Sequence, residues 1–341
     1  MVLNRKSRTT RLSSLDMLRG LAVLLMVEAH ITIMIPFISE LAGVLAAPTF
    51  LFVAGLSFQL FLQNRESRAL KSLDVFLEVF WRAVALFFIT SLITWTANLV
   101  LGWESSVFTN IFVIISTGFL VGYLVRRSFK GKVLAIILVL VLDLLIRGYN
   151  VEGLAFLAGY GPGLQVSILP YLCYFFFGQL AYTAYKKENF NCYDNQILLV
   201  YALLFFLLNL AVYLTFPYPL VSELRGYLPM LFMVASLLIL LLLVLVRVVE
   251  LDGKLKRWLR PLENLGHVSF TSYYISYASF ILLGTLQFSQ PVPANLLIFL
   301  ATSGGLVLLE KHWRPSYRYG LEWWYRRVSA WGLSHTQKYL G

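Results

Sequence analysis

Ten runs of predominantly apolar residues, each roughly 18–25 long, follow one another along this 341-residue chain. A run of that length crosses the ~30 Å of a bilayer's hydrocarbon as one helix. No water is present there to satisfy a stray backbone N–H or C=O, so the backbone must pair with itself. The expected fold is therefore all-α, a polytopic membrane protein of about ten transmembrane helices. The spans are expected near 15–36, 42–63, 76–101, 108–125, 132–148, 165–185, 196–216, 227–247, 267–288 and 293–311. Composition agrees, with 59% hydrophobic and 13% charged residues, far too apolar for a soluble domain. The fourth run is the weakest, being polar at Asn110, Ser116 and Thr117.

The loop charges test that count. With the N-terminus in the cytoplasm, the cytoplasmic stretches hold Arg65, Arg68, Lys71, Arg126, Arg127, Lys130, Lys186, Lys187, Lys254, Lys256, Arg257 and Arg260, then a basic tail. The opposite loops hold mainly Arg147 and Arg225. Adding or losing one span would invert every later loop and destroy this asymmetry, which the positive-inside rule requires. Both N- and C-termini are therefore expected in the cytoplasm, in a multi-pass protein of the cell (inner) membrane. The net charge of +11 then reads as orientation within the lipid bilayer, and no nucleic-acid partner is expected. The basic start leads into a full-length span, so no cleavable signal peptide is expected. The chain divides into a helical membrane domain, 1–311, and an aromatic and basic tail, 312–341, suited by composition to the cytoplasmic headgroup region. The stretch 149–164, with four glycines, reads equally as a lid, a re-entrant loop or a slack connector.

Cys173 falls in an apolar segment and Cys192 in a polar loop, so neither a disulfide nor a metal site is expected from them. No phosphate-loop motif, zinc-helix motif or nucleophile elbow is present. What stands out is the first run. It carries Asp16 and Arg19 at its start and Glu28 and His30 deep inside, where ionisable groups mark function. Eleven residues at about 100° each make three turns plus about 20°, so Arg19 and His30 share one helix face about 16 Å apart. His30 suits proton transfer near neutrality, or else a packing hydrogen bond between helices. Glu28 lies about 160° around from His30 and cannot join it on one face. Glu40, just past the span, is a weaker candidate neighbour for His30. Asp16 and Arg19, three apart, can pair, either to position the helix or to leave the planar Arg19 fork available to a phosphate. Arg82, at the start of the third span, either snorkels to the headgroups or adds a second phosphate contact. Asp143 and Arg147 form an i, i+4 pair that satisfies itself.

Several segments resemble a known superfamily. Ser14-Leu15-Asp16-x-x-Arg19-Gly20-Leu21-Ala22 followed by an apolar run and His30 resembles the first helix of transmembrane acyltransferases, which include the acyltransferase-3 and heparan-α-glucosaminide N-acetyltransferase branches. Ala47-Pro48-Thr49-Phe50 through Ser57, Trp81-Arg82, and Leu265-Gly266-His267 through Tyr273 resemble the latter branch and the YeiB-like bacterial membrane proteins, as does Tyr319-Gly320-Leu321-Glu322-Trp323-Trp324. The resemblance implies an acetyl-CoA or other acyl-CoA co-substrate bound from the cytoplasm and a glycan or glycolipid acceptor at the outer side; with no zinc motif in the chain, no metal is expected. It places His30 at the catalytic position of the acyltransferase-3 proteins and Asp16, Arg19 and Arg82 on the coenzyme side. Val79 stands three before Arg82, where acyltransferase-3 proteins tend to carry a second arginine. The catalytic histidine that heparan-type enzymes carry in an external loop has no counterpart in that loop here. The expected function is acyl transfer to a hydroxyl or amine, and a homodimer is admissible. The alternative is a proton-coupled transporter or flippase for a lipid-linked sugar or small molecule.

Overall fold

The computed structural model describes residues 12–31, 36–101, 110–149, 168–186, 192–215, 222–251, 253, 255–285, 300–308 and 320–340, with the isolated positions 154 and 157. The regular elements are α1 (Ser13–Ile31), α2 (Pro36–Glu66), α3 (Ser72–Leu101), α4 (Ile111–Leu124), α5 (Phe129–Gly148), α6 (Ile168–Lys186), α7 (Cys192–Thr215) and α8 (Ser222–Leu245). A π-helical turn, Val246–Leu251, extends α8, and α9 (Arg260–His267), α10 (Ser269–Thr285) and α11 (Leu321–Leu340) follow. Residues 300–308 are helical, inside the expected tenth span. The described residues are all-helical, and every apolar run meets at least one helix.

Three helices are both long and apolar enough to cross a bilayer among the described residues: Ala42–Glu66, Ser72–Leu99 and Leu231–Val249. The outer surface matches a hydrocarbon environment. Phe88, Leu92, Trp95 and Leu99 line the exposed side of α3, Ile137, Leu138, Val141 and Leu145 that of α5, and Leu199, Leu203 and Phe206 that of α7. In water such belts would be unfavourable, whereas in lipid they require no cover.

Local chemistry sets the helix ends. Asn110 caps α4 by accepting from the Phe112 N–H at 3.0 Å, and Ser128 caps α5 by accepting from the Gly131 N–H at 2.9 Å. Pro48 sits inside α2 and removes one backbone donor. The neighbouring Thr49 hydroxyl donates to the Leu45 carbonyl at 2.6 Å.

Packing centres on α1, α2 and α6, and it depends on glycine. A Cβ on Gly55 would lie 1.9 Å from the Phe175 carbonyl oxygen, and one on Gly178 would lie 1.9 Å from that of Phe52. The backbones of α2 and α6 therefore touch at two reciprocal points, the small-residue contact that membrane helices favour. Phe175 then reaches α4, where Gly118 and Gly122 leave room for its ring. The same device joins α1 to α9: Gly20 faces the Leu262 carbonyl and Gly266 faces the Asp16 carbonyl, with hypothetical Cβ distances of 2.0 and 1.7 Å.

Several boundaries differ from the sequence expectation. The stretch 248–266, expected as a basic connector, holds the end of the π-helical turn Val246–Leu251 and all but the last residue of α9. The expected ninth span starting at 267 divides at Val268 into α9 and α10. Cys192, expected in a loop, opens α7. The stretch 149–164 lies almost entirely outside the described residues, as does the Glu40 side chain. Most of the tail is helix α11, which docks on the bundle. Glu322 accepts from the Phe270 and Thr271 N–H groups at 2.8 and 3.0 Å, a carboxylate at the positive end of α10. Trp81 Nε1 donates to Thr336 Oγ1 at 2.8 Å, and its ring lies against Gly332.

A matched pair of substitutions in one helix tests the glycine contacts. Gly55→Ala should destabilise the protein by about 3 kcal/mol because a methyl group meets backbone. Gly43→Ala, where nothing lies within 4 Å of the new Cβ, should be neutral or stabilising by up to about 1 kcal/mol. Unfolding of the detergent-solubilised protein measures both, and equal effects would contradict the packing described.

Candidate functional site

The first turns of α1 carry Asp16 on a helix that α9 approaches at backbone contact. That approach brings His267, the residue after Gly266, to the Asp16 carboxylate. His267 Nε2 lies 3.2 Å from Asp16 Oδ2, and the Arg19 guanidinium pairs with Oδ1. A second nitrogen of Arg19 donates to Ser57 Oγ on α2 at 2.5 Å. The Asp16 side chain is only 2% exposed. A buried carboxylate is costly unless charged or polar partners surround it, and here Arg19 binds one oxygen while the His267 ring lies beside the other. The expected pairing of Asp16 with Arg19 is present. His267 is the partner that sequence reasoning missed, since no spacing links position 16 to position 267.

Arg82 belongs to a second cluster. Its guanidinium lies 2.9 Å from Glu78, which also binds Arg65 at 2.6 Å. Both guanidiniums lie over the Phe61 ring, with Cζ 4.3 Å from its centroid for Arg82 and 5.2 Å for Arg65. Arg82 also acts on Tyr325 of α11: loss of water pushes the phenol above the ordinary value, and Arg82 pulls it back down. Ser57, Phe61 and Arg65 recur every four residues on α2, so they stack along one face at about 6 Å per step. Arg19, Arg82 and Arg65 therefore attach to successive turns of that face. The Nε atoms of Arg65 and Arg82 are buried and have no hydrogen-bond partner among the described residues. This row of planar donors fits a phosphorylated ligand.

His30 occupies the penultimate position of α1, fourteen residues from Asp16, about 21 Å along the axis. Its side chain lies outside the described residues. Glu28 is buried in the same helix, and Asp143 and Arg147 pair on α5 at 3.1 Å.

On the other side of Asp16, a cavity of about 480 Å³ opens beside α9 and the turn before it. Lys256, Arg257, Arg260, Glu263, Asn264 and His267 line it. No group of three or more metal-ligating side chains gathers among the described residues.

A double-mutant cycle tests the shared carboxylate. Asp16→Asn should cost about 3 kcal/mol, because Arg19 loses its buried counter-ion. Combined with His267→Gln, the loss should fall short of the sum of the single losses by about 1 kcal/mol. Strict additivity in thermal unfolding would separate the two residues.

The comparisons with known proteins bear on the same region. The model of the heparan-alpha-glucosaminide N-acetyltransferase catalytic domain matches residues 11–218, from the start of α1 past the end of α7. A comparison with curated proteins finds no match. The matched segment holds Asp16, Arg19, Ser57, Arg65, Glu78 and Arg82, whereas His267 and the basic cavity lie beyond it. With most of its length matched to that domain and apolar helices of membrane-spanning length, the chain belongs to the heparan-alpha-glucosaminide N-acetyltransferase catalytic family, as an acetyltransferase-like membrane enzyme.

Proposed function

We propose that this protein transfers an acetyl or short acyl group from cytoplasmic acyl-CoA to a hydroxyl or amine of a glycan or glycolipid at the outer side of the cell membrane. The observation that carries this reading is the row of arginines, Arg19, Arg82 and Arg65, along one face of α2 inside the matched catalytic domain. Arg19 and Arg82 hold the coenzyme phosphates, and Asp16 fixes the Arg19 fork. The loop charges support ten spans with both termini in the cytoplasm, which puts the Asp16 end of α1 at the inner surface and His30 toward the outer half. The flexible arm between nucleotide and thioester covers the distance.

His30 acts as the general base. The acceptor O–H or N–H proton passes to the imidazole as the acceptor atom bonds the acyl carbon. The carbon–sulfur bond then breaks, and the departing thiolate takes up the proton. Because proton transfer adds typically 10²–10⁴-fold to such a step, His30→Ala should reduce kcat by about that factor while the folded protein persists. Wild-type turnover in that variant would remove His30 from the mechanism. Arg19→Ala should raise the KM for acyl-CoA at least about tenfold, as expected for losing a hydrogen bond from a charged group, with partial recovery in Arg19→Lys. An unchanged donor KM would remove Arg19 from the coenzyme site. Uptake driven by a pH gradient, with no response to acyl-CoA, would replace the enzyme by a transporter.

A further inference from the structure

Helix α11 lies beyond the matched catalytic segment and carries two apolar faces, of which the bundle uses one. At about 100° per residue, Tyr325, Ser329, Gly332 and Thr336 share one sector. That sector meets the bundle: Ser329 and Gly332 are buried, a Cβ on Gly332 would lie 2.3 Å from the Trp81 ring, and Thr336 accepts from Trp81 Nε1. Trp324, Val328, Trp331 and His335 share a second sector about 60° wide, centred about 100° around from the first. Trp324, Val328 and Trp331 are 54%, 37% and 62% exposed, and the His335 ring lies beside that of Trp331, with centroids 4.8 Å apart. Arg327 and Lys338 border this second sector on the side away from the bundle, and both are exposed. Glu322 is committed to the N–H groups that open α10, so the other charged side chains of α11, Arg326, Arg327 and Lys338, are all cations.

We propose that the Trp324–Trp331 face of α11 binds the anionic surface of the cytoplasmic leaflet, with its tryptophans at headgroup level and Arg327 and Lys338 on lipid phosphates. The docking contacts set the level of the face. The Leu321 N–H donates to Thr271 Oγ1 at 2.9 Å, and Trp81 donates to Thr336 at 2.8 Å. Thr271 and Trp81 each lie within about two turns of the expected cytoplasmic end of a span, so both contacts hold α11 near the membrane surface. The face also continues the lipid belt of α3. The ring of Phe80, 38% exposed, lies 5.7 Å from that of Trp81 between centroids, and Phe87 and Phe88 follow it along α3. Tryptophans bordered by cations suit this depth, where an indole has one apolar and one wet side and each cation gains from the negative leaflet. A solvated helix would bury or lack such a stripe. The same helix brings Tyr325 to Arg82, so the lipid contact braces the outer wall of the arginine row. The proposal needs the cytoplasmic placement of these helix ends, and its test does not depend on acyl transfer.

The full-length protein in nanodiscs, in a Cys192→Ser background, tests the surface with a local probe, since Cys173 is buried. An environment-sensitive fluorophore is attached at Trp331→Cys or, for comparison, at Ala330→Cys, an exposed position about 130° around the helix from the centre of the face. Lipids carrying a nitroxide at headgroup depth should quench the probe at 331 at least twofold more than the probe at 330. Adding phosphatidylglycerol to phosphatidylcholine should widen that contrast, and Arg327→Gln/Lys338→Gln should abolish the added effect. Val328→Cys provides a second labelling site if the Trp331 variant folds poorly. Equal quenching at 331 and 330, or no response to phosphatidylglycerol, would overturn the proposal. A probe at 331 shielded only in nanodiscs that hold two copies would assign the face to a second copy of the chain and overturn the lipid contact. The quenching contrast in a protein that transfers no acyl group would preserve the surface and reject the enzyme, and its absence in an active enzyme would do the reverse.

Discussion

The contact between the backbones of α1 and α9 is the constraint on which this structure depends. Gly20 and Gly266 allow the two helices to meet with no side chain between them, each glycine facing a carbonyl of the other helix. A methyl group at either position would force the helices apart. His267 would then withdraw from Asp16, and the buried carboxylate would lose one of its partners. The ion cluster is therefore a consequence of helix packing as much as of charge. The glycines stand beside the residues they serve: Gly20 follows Arg19, and Gly266 precedes His267.

The same constraint organises the charges around α1. One Asp16 oxygen holds the arginine that reaches Ser57 on α2, where the Arg82 and Arg65 cluster begins one turn further along. The other oxygen lies 3.2 Å from the imidazole that lines the basic hollow beside α9. Asp16 thus stands between two groups of cations and reduces the repulsion between them. Such an arrangement suits a ligand with several phosphates. The tail helix adds to this frame, since Glu322 caps α10 and Tyr325 reaches Arg82.

Much of the fold was legible from the apolar runs, because in hydrocarbon the backbone has no choice but helix. The pairing of Asp16 with Arg19 was legible because it is local. What was not legible is long-range. The charges of 254–260 serve the positive-inside rule wherever they point, so sequence alone cannot separate a basic loop from a basic cavity. Helix α9 is short and polar, which gave it no span signal, and it was read as connector. His267 was passed over because it lies outside the deep apolar runs that made His30 conspicuous. Arg65 read as a loop charge until Phe61 brought Arg65 and Arg82 together over one ring.

The central claim is that the Asp16 end of α1 organises the donor site and the His30 end carries the chemistry. A structure of the full-length protein with a non-hydrolysable acyl-CoA analogue tests it most directly. The account predicts phosphate density against Arg19 and Arg82, with the acyl end running along α1 toward His30. An analogue bound away from these arginines, or an acyl end remote from α1, would contradict it.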